Sequence, residues 1–267
     1  MGLLFSVLSS CFRRKDSSRA SSTTNGETSK SADPPAEPKP EPKKVTLSKK
    51  HEPYSPKAAA ALFATYADAD NSALIGPEGF DRMCTDADIS MDGALPVLLS
   101  WQLKSEEMGK FELEKWEKWT TTHKCTCIEE LDDLLFQGKP PVKPSKKPDE
   151  PYDRTTYFQY AAAPKEAFQS LYAFCFVFTK PPASRNIDMD TARAFWTLLL
   201  VPKYILMSEI LEFISAHEDS YKAVNKDLWS MMLEFLEAVG PNLDGYDEEA
   251  AWPTLVDEFV ASKKGQD

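Results

Sequence analysis

Oxygen-bearing side chains between residues 68 and 72 are spaced as in the calcium-binding loop of an EF-hand. They stand at positions 1, 3 and 5 of such a loop: Asp68, Asp70 and Ser72. The pattern then departs from a binding loop. Position 6, which needs Gly for a sharp turn, is Ala73, and position 12, which needs a bidentate Glu, is Gly79. The sequence therefore favours helix–loop–helix geometry here without calcium, and a calcium-regulated sensor is kept as an alternative.

A second group of potential metal ligands consists of His123, Cys125 and Cys127. A structural zinc site uses four ligands, which usually arrive as two spaced pairs. Here the two cysteines are separated by a single residue and no second cluster follows. We therefore expect no metal, and we expect these residues on a helix face beside apolar neighbours such as Ile128 and Leu131.

The histidines offer little for covalent catalysis. The chain has three of them, His51, His123 and His217, and none stands in a nucleophile-elbow or comparable frame. No glycine-rich loop suited to cradling a phosphate is present either. We therefore expect no intrinsic covalent catalysis and no cofactor.

The stretch GYDEEAAWPTLVDEFV, residues 245–260, combines crowded carboxylates with apolar residues at helical spacing. On a helical wheel at about 100° per residue, one stripe collects four apolar residues: Trp252, Leu255, Val256 and Phe259. Ala251 and Asp257 fall on the opposite, exposed face. Since Pro253 is tolerated only in a first turn, the sequence predicts a helix that begins near Glu249.

The preceding helix is predicted to begin near Asn225 or Asp227, with Trp229 and Met232 facing inward. If the two helices pack side by side, Asp227 and Asp257 flank the small Ala251 and form an acidic rim. Such a rim would select a partner that carries Lys or Arg. A solvated acidic face without any partner is the alternative.

Helical periodicity dominates the body that must position these residues. Apolar residues recur at helical spacing around Trp101, Tyr172, Phe195 and Phe213, and Gly is scarce, at 10 of 267 residues. We therefore expect an all-α fold. The Pro-rich segment 138–154 is predicted to be an insertion that separates two packed helical halves. The folded domain is expected over residues 55–262, followed by a tail at 263–267.

The charge of the chain divides into a basic leader and an acidic body. Residues 1–57 carry 11 Lys and Arg against 6 Asp and Glu, which leaves 20 against 36 of the totals of 31 and 42 for the remainder. An acidic body of about −16 lacks the positive footprint that phosphate binding needs, so nucleic acid is not an expected partner. The five irregularly spaced cysteines, without a secretory signal, indicate an intracellular protein of the cytoplasm or nucleus.

The first residues, MGLLFSVLSSCFRRK, fit the pattern for N-myristoylation at Gly2. One myristoyl chain binds membrane weakly, and a second signal is present in Cys11, an acylation candidate, and in neighbouring basic residues. Residues 1–54 are otherwise rich in Ser, Pro and Lys, which is typical of a disordered tether. We expect a lipid anchor here; an ordinary N-terminus that begins Met-Gly is the alternative.

Two C-terminal stretches together resemble the signature of the defective-in-cullin-neddylation family, whose domain is also called PONY or DCUN. They are GYDEEAAWPTLVDEFV, residues 245–260, and KDLWSMMLEF, residues 226–235. The resemblance extends over roughly residues 55–262 through shorter matches: IG at 75–76, VLLSW at 97–101, KF at 110–111, FQSLYAFCFVF at 168–178 and AFW at 194–196. The resemblance implies an all-helical, EF-hand-like fold.

The same resemblance implies two binding surfaces. A patch that docks the basic C-terminal subdomain of a cullin corresponds to Asp227, Ala251 and Asp257. A hydrophobic pocket for the acetylated N-terminal Met of the Nedd8 conjugating enzyme corresponds to Phe80, Leu98, Leu99, Phe111, Phe178 and Leu198. Two nearby residues, Pro96 and Ser100, depart from the apolar residues expected there.

The family's activity implies that the protein is a scaffold-type accessory of cullin neddylation. It would hold the conjugating enzyme and the cullin together, so that the thioester and the target lysine meet. A helical adaptor that binds basic or N-acetylated peptides without promoting conjugation is the alternative from another functional class.

Overall fold

The computed structural model describes residues 54–123, 135–136 and 155–265, and in these residues nearly all regular structure is helical. Four helices and two short strands form the first half: α1 (Pro56–Tyr66), β1 (Leu74–Ile75), α2 (Pro77–Asp86), α3 (Leu95–Gln102), β2 (Phe111–Glu112) and α4 (Leu113–His123). Strands of two residues do not make a sheet protein. The prediction of an all-α fold is therefore confirmed.

The second half has six helices and a second pair of short strands among its described residues. They are α5 (Thr155–Ala162), α6 (Pro164–Thr179), β3 (Ile187–Asp188), α7 (Met189–Leu199), α8 (Ile205–Ala216), β4 (Ala223–Val224), α9 (Lys226–Ala238) and α10 (Thr254–Lys264). The Pro-rich insertion predicted at 138–154, the leader up to residue 53 and the Cys125–Cys127 pair lie outside the described residues.

Helix starts follow local chemistry. Ser55 caps α1, its hydroxyl accepting from the backbone N–H of Ala58, and Pro56 occupies the first helical position as the sequence predicts. Asp188 and Asn225 cap α7 and α9 in the same way. Each side chain accepts a hydrogen bond from the backbone N–H of the residue three positions later. These caps satisfy N–H groups that have no partner within the helix.

Each half contains one antiparallel pair of strands among its described residues. Ile75 pairs with Phe111 in the first half, and Ile187 pairs with Val224 in the second. Each strand lies in the loop between two consecutive helices, so each pair ties two helix–loop–helix units together. The description of these units as EF-hand-like stays a prediction.

Two hydrophobic clusters form the interior. One gathers residues of the first half, including Phe63, Phe80 and Trp116, and the other gathers the large apolar residues of the second half. Helix α3 contributes to both clusters, because Leu98 packs into the second and Leu99 into the first. Adjacent residues of one short helix therefore lie at the junction of the two cores.

No helix within the described ranges is long and apolar enough to cross a bilayer.

Candidate docking surface and pocket

The helix that carries Asp257 begins later than the sequence predicts. We expected its start near Glu249, but α10 begins at Thr254, with Pro253 as its extended N-cap. The residue before a proline is pushed out of helical conformation, so Trp252 cannot continue a helix into Pro253. The correction leaves the exposure of Asp257 unchanged, and it places Ala251 in the segment that leads into the helix.

The buried face of α10 agrees with the wheel. Leu255, Val256 and Phe259 are buried, whereas Asp257 and Ala251 are exposed. Trp252 is half-buried although it lies outside the helix: its ring packs edge-on against Phe235 at 5.5 Å between centroids. Its indole N–H donates to the backbone carbonyl of Asp247 at 3.1 Å, which fixes the turn before α10.

Asp227 occupies the first turn of α9, two residues after its Asn225 cap, and is exposed. Asp257 also lies in the first turn of its helix, as the fourth residue of α10. Exposed carboxylates at the first turns of helices are favoured by the positive end of the helix dipole. Both helices pack their inner faces into the same hydrophobic cluster, through Trp229 of α9 and Val256 of α10. The assignment of Asp227, Ala251 and Asp257 to one docking patch stays a prediction.

Two tyrosines that sequence reasoning missed hold neighbouring carboxylates of α10. The hydroxyl of Tyr246 donates to Asp257 Oδ1 at 2.7 Å, and the hydroxyl of Tyr221 donates to Glu258 Oε2. Partial burial, followed by the hydrogen bond to Asp257, raises the pKa of Tyr246 to about 12. Both hydroxyls therefore remain donors at neutral pH. Tyr246 follows Gly245 in the quoted stretch, but nothing in its spacing showed its partner.

Five of the six residues expected to line a pocket divide between the two cores. Phe80, Leu99 and Phe111 belong to the first cluster, and Leu98 and Leu198 lie in or against the second. Phe178 belongs to neither cluster and stacks on Phe174 at 4.9 Å between ring centroids. All except the half-buried Leu198 are buried. A pocket that used all six would therefore adjoin the junction of the cores beside α3 and extend to Phe178 on α6. Ser100 is accommodated on that helix by donating its hydroxyl to the carbonyl of Pro96 at 2.9 Å.

In the calcium-like loop, protein groups occupy the places that a calcium ion and its ligands would need. Asp68 Oδ1 accepts from the N–H of Gly76 at 3.0 Å, so the carboxylate at position 1 already has a partner. At position 12, a Cβ added to Gly79 would lie 2.0 Å from the carbonyl oxygen of Tyr66. The backbone there leaves no room for any side chain, and a liganding Glu could not be accommodated without moving α1 or α2.

A lysine in the first turn of α4 lies near two carboxylates, one from the loop before β2 and one from β2 itself. Lys115 Nζ lies 2.9 Å from Glu106 Oε1 and 3.2 Å from Glu112 Oε2. The hydrogen bond to Glu106 is the main cause that raises the pKa of Lys115. Across the described part of the chain, no group of three or more His, Cys, Asp and Glu is arranged to hold a metal ion.

The described thiols and His123 serve packing. Cys84 and Cys175 are free and buried, and burial raises the pKa of both thiols, that of Cys84 to about 11. A thiol kept neutral in this way is a poor nucleophile. His123 Nδ1 lies 2.7 Å from Thr156 Oγ1, so this ring joins α4 to α5.

Comparison with known proteins identifies relatives along most of the chain. The cullin-binding family model matches residues 153–262. DCN1-like protein 5 of Rattus norvegicus is 31% identical over 213 residues, which cover 80% of this chain and 80% of the relative. DCN1-like protein 5 of Homo sapiens is 30% identical with the same coverage. DCN1-like protein 4 of Homo sapiens is 29% identical over 214 residues, 80% of this chain and 65% of that protein.

The resemblance inferred from the C-terminal stretches is thereby confirmed over the helical body. The matched region contains α9 with Asp227, and all but the last two residues of α10, with Asp257. The chain belongs to the defective-in-cullin-neddylation family, the family of the DCN1-like proteins.

Proposed function

We propose that the protein promotes cullin neddylation as a scaffold-type accessory of Nedd8 transfer. The observation that carries the proposal is the cullin-binding match over residues 153–262, which contains Asp227, Ala251 and Asp257, all three exposed. Membership of the DCN1-like family supports the same conclusion.

The Asp227–Ala251–Asp257 patch docks the basic C-terminal subdomain of a cullin in this proposal. Two carboxylates with a small residue between them leave space for an approaching Lys or Arg side chain. The body from residue 58 onward carries 20 basic against 36 acidic residues, so its long-range field also attracts a basic partner. The patch would then select among partners by charge, with Ala251 setting how closely they approach.

The conjugating enzyme is held at a second place. We propose that its acetylated N-terminal Met enters a pocket beside the junction of the two cores, formed by Phe80, Leu98, Leu99, Phe111, Phe178 and Leu198. An acetylated terminus carries no charge, so burying it against apolar side chains avoids the cost of desolvating an ammonium group. The half-buried Leu198 is the one of the six that is most accessible from solvent.

Proximity is the mechanism that follows from two such sites on one helical body. Holding the thioester and the acceptor lysine in a reactive geometry converts an encounter of two proteins into a step within one complex. The lysine supplies the nucleophile and the conjugating enzyme supplies the thioester. The protein contributes position, and its buried thiols take no part.

The leader adds a proposed location. Gly2 and Cys11 lie outside the described residues, and we propose that both are acylated and hold the protein at a membrane. Two acyl signals bind stably where one does not. Membrane flotation of the wild type and of Gly2→Ala tests this: the variant is expected in the soluble fraction, and equal flotation of the two proteins would contradict it.

The central test is the rate of Nedd8 transfer to a cullin in a purified system, with and without the protein. The wild type is expected to accelerate transfer, and Asp227→Ala and Asp257→Ala to lose most of the acceleration while keeping their melting temperature. Asp92→Ala, which removes an exposed acid from the first half, is the matched control and is expected to act like the wild type. If the wild type binds both partners and leaves the rate unchanged, the protein is an adaptor and the proposal is wrong.

A further inference from the structure

The ring of Tyr246 is held in place by contacts that do not involve its hydrogen-bond partner, Asp257. Its ring packs edge-on against Phe235 of α9, with 6.4 Å between the ring centroids. Lys264 of α10 places its Nζ 5.1 Å from the centroid of the Tyr246 ring. Lys264 is in turn held by Glu248 at 2.6 Å. The phenol is therefore anchored between α9 and α10 before its hydroxyl is considered.

The backbone around Tyr246 is equally constrained. Gly245 has a φ of +88°, a conformation that favours glycine, and a Cβ there would lie 2.8 Å from the carbonyl oxygen of Ala238. The N–H of Tyr246 donates to the carbonyl of Leu243 at 3.1 Å, and that of Gly240 to Asp244 at 2.9 Å. The loop thus sets where the hydroxyl of Tyr246 can reach.

We propose that Tyr246 is a positioning residue that presents the Asp257 carboxylate to the basic surface of a cullin, an inference that rests on the proposed function. Its hydroxyl engages Asp257 Oδ1 at 2.7 Å, and the second carboxylate oxygen is left to accept from a Lys or Arg of the partner. An exposed aspartate otherwise samples several rotamers, and fixing one of them before binding reduces the entropy lost in the complex.

The structure supplies its own matched control. Tyr221 donates to Glu258, the residue next to Asp257, from the segment before β4. Tyr221→Phe therefore removes the same kind of bond, from a phenol to an exposed carboxylate of the same helix. Only Tyr246→Phe removes it from the residue assigned to the docking patch.

The experiment is a double-mutant cycle on the affinity of the full-length protein for a purified cullin C-terminal subdomain, measured by calorimetry. Tyr246→Phe is expected to weaken binding about 2- to 10-fold, the range expected for losing one immobilised side chain. Tyr221→Phe is expected to leave the affinity unchanged. In an Asp257→Ala background, Tyr246→Phe is expected to cost nothing further, because the group it positions is gone.

A merely structural tyrosine would give a different pattern. It would weaken binding equally in the wild-type and Asp257→Ala backgrounds, and that result overturns the inference, as does an unchanged affinity of Tyr246→Phe. Thermal melts of all variants verify that they are folded. If the wild type and Asp257→Ala bind equally, or neither binds, the proposed docking function fails and this inference fails with it. If Asp257→Ala loses affinity and Tyr246→Phe does not, only the role of Tyr246 is refuted.

Discussion

Tyr172 and Trp229 are joined by two reciprocal hydrogen bonds and by stacked rings. The hydroxyl of Tyr172 donates to the carbonyl of Trp229 at 2.8 Å, and the indole N–H of Trp229 donates to the carbonyl of Tyr172 at 3.0 Å. Their ring centroids lie 4.6 Å apart. The same hydroxyl accepts from Trp196 Nε1 at 2.9 Å, so one buried oxygen links α6, α7 and α9.

Removing the Tyr172 hydroxyl should lower the free energy of unfolding by more than removing a hydroxyl at the surface. Tyr172→Phe leaves the indole N–H of Trp196 buried without its acceptor, and a donor stranded in this way costs about 1–3 kcal/mol. We expect the free energy of unfolding, from urea denaturation, to fall by about that amount. Tyr54→Phe, whose hydroxyl bonds Thr121 at the surface, is the control. Equal stabilities of the two variants would contradict the role of the network.

Gly79 should tolerate no side chain. Its missing Cβ would lie 2.0 Å from the backbone oxygen of Tyr66, so Gly79→Ala forces α1 and α2 apart. We expect a loss of about 3 kcal/mol in the free energy of unfolding, at the upper end for overpacking. Gly93→Ala meets only Ser90 O at 3.4 Å and is expected to change stability by less than about 0.5 kcal/mol. Similar losses at the two glycines would refute the steric argument.

Local chemistry predicted most of the helical body from the sequence. The cap at Ser55, the start of α9 near Asn225 or Asp227 and the buried face of Leu255, Val256 and Phe259 all depend on neighbours within a few residues, and all are found. The exposure of Asp227 and Asp257 follows from the same periodicity. Such features need no knowledge of how distant segments meet.

Long-range contacts could not be predicted in this way. Tyr221 is 37 positions from Glu258, and no pattern of sequence relates the two residues. The division of Leu98 and Leu99 between two cores depends on where α3 lies, and the space at Gly79 depends on Tyr66 in another helix. The start of α10 was predicted too early because Pro253 was assigned to the first turn instead of the N-cap.

Calcium should leave the stability unchanged. Asp68 already accepts from Gly76, and Lys115 places an ammonium group between Glu106 and Glu112. A ligand that bound the native state at ten times its dissociation constant would add about 1.4 kcal/mol. We therefore expect the same melting temperature in millimolar calcium and in chelator. A melting temperature that rises with calcium and then saturates would support the calcium-regulated sensor instead.

The buried thiols should make the fold sensitive to alkali. The pKa of Cys84 is raised to about 11, and that of Cys175 is also raised, by burial, whereas an unfolded thiol titrates near 8.5. The unfolded chain therefore releases protons first, and stability that is complete below about pH 8.5 is lost as the pH rises. We expect the urea midpoint to fall between pH 8 and pH 10, with a shallower fall in Cys84→Ala.

Thiol labelling gives the corresponding kinetic test. Site-resolved mass spectrometry separates Cys84 and Cys175 from the other three cysteines. Both should react slowly at pH 8 in the folded protein and rapidly in urea. Labelling of Cys84 at the rate of a free thiol in native protein would show that this site opens, and it would remove the basis for the predicted pH dependence.

Docking through Asp227 and Asp257 should depend on ionic strength. Charges at exposed first-turn positions are screened over about 10 Å at 0.1 M salt, so affinity for a basic cullin subdomain should fall on the order of tenfold from low to high salt. Asp227→Ala and Asp257→Ala should each flatten this dependence, because fewer charges remain to be screened. Asp92→Ala, which removes the same charge elsewhere, should retain the wild-type slope; if it flattens the slope equally, attraction arises from net charge and not from the patch.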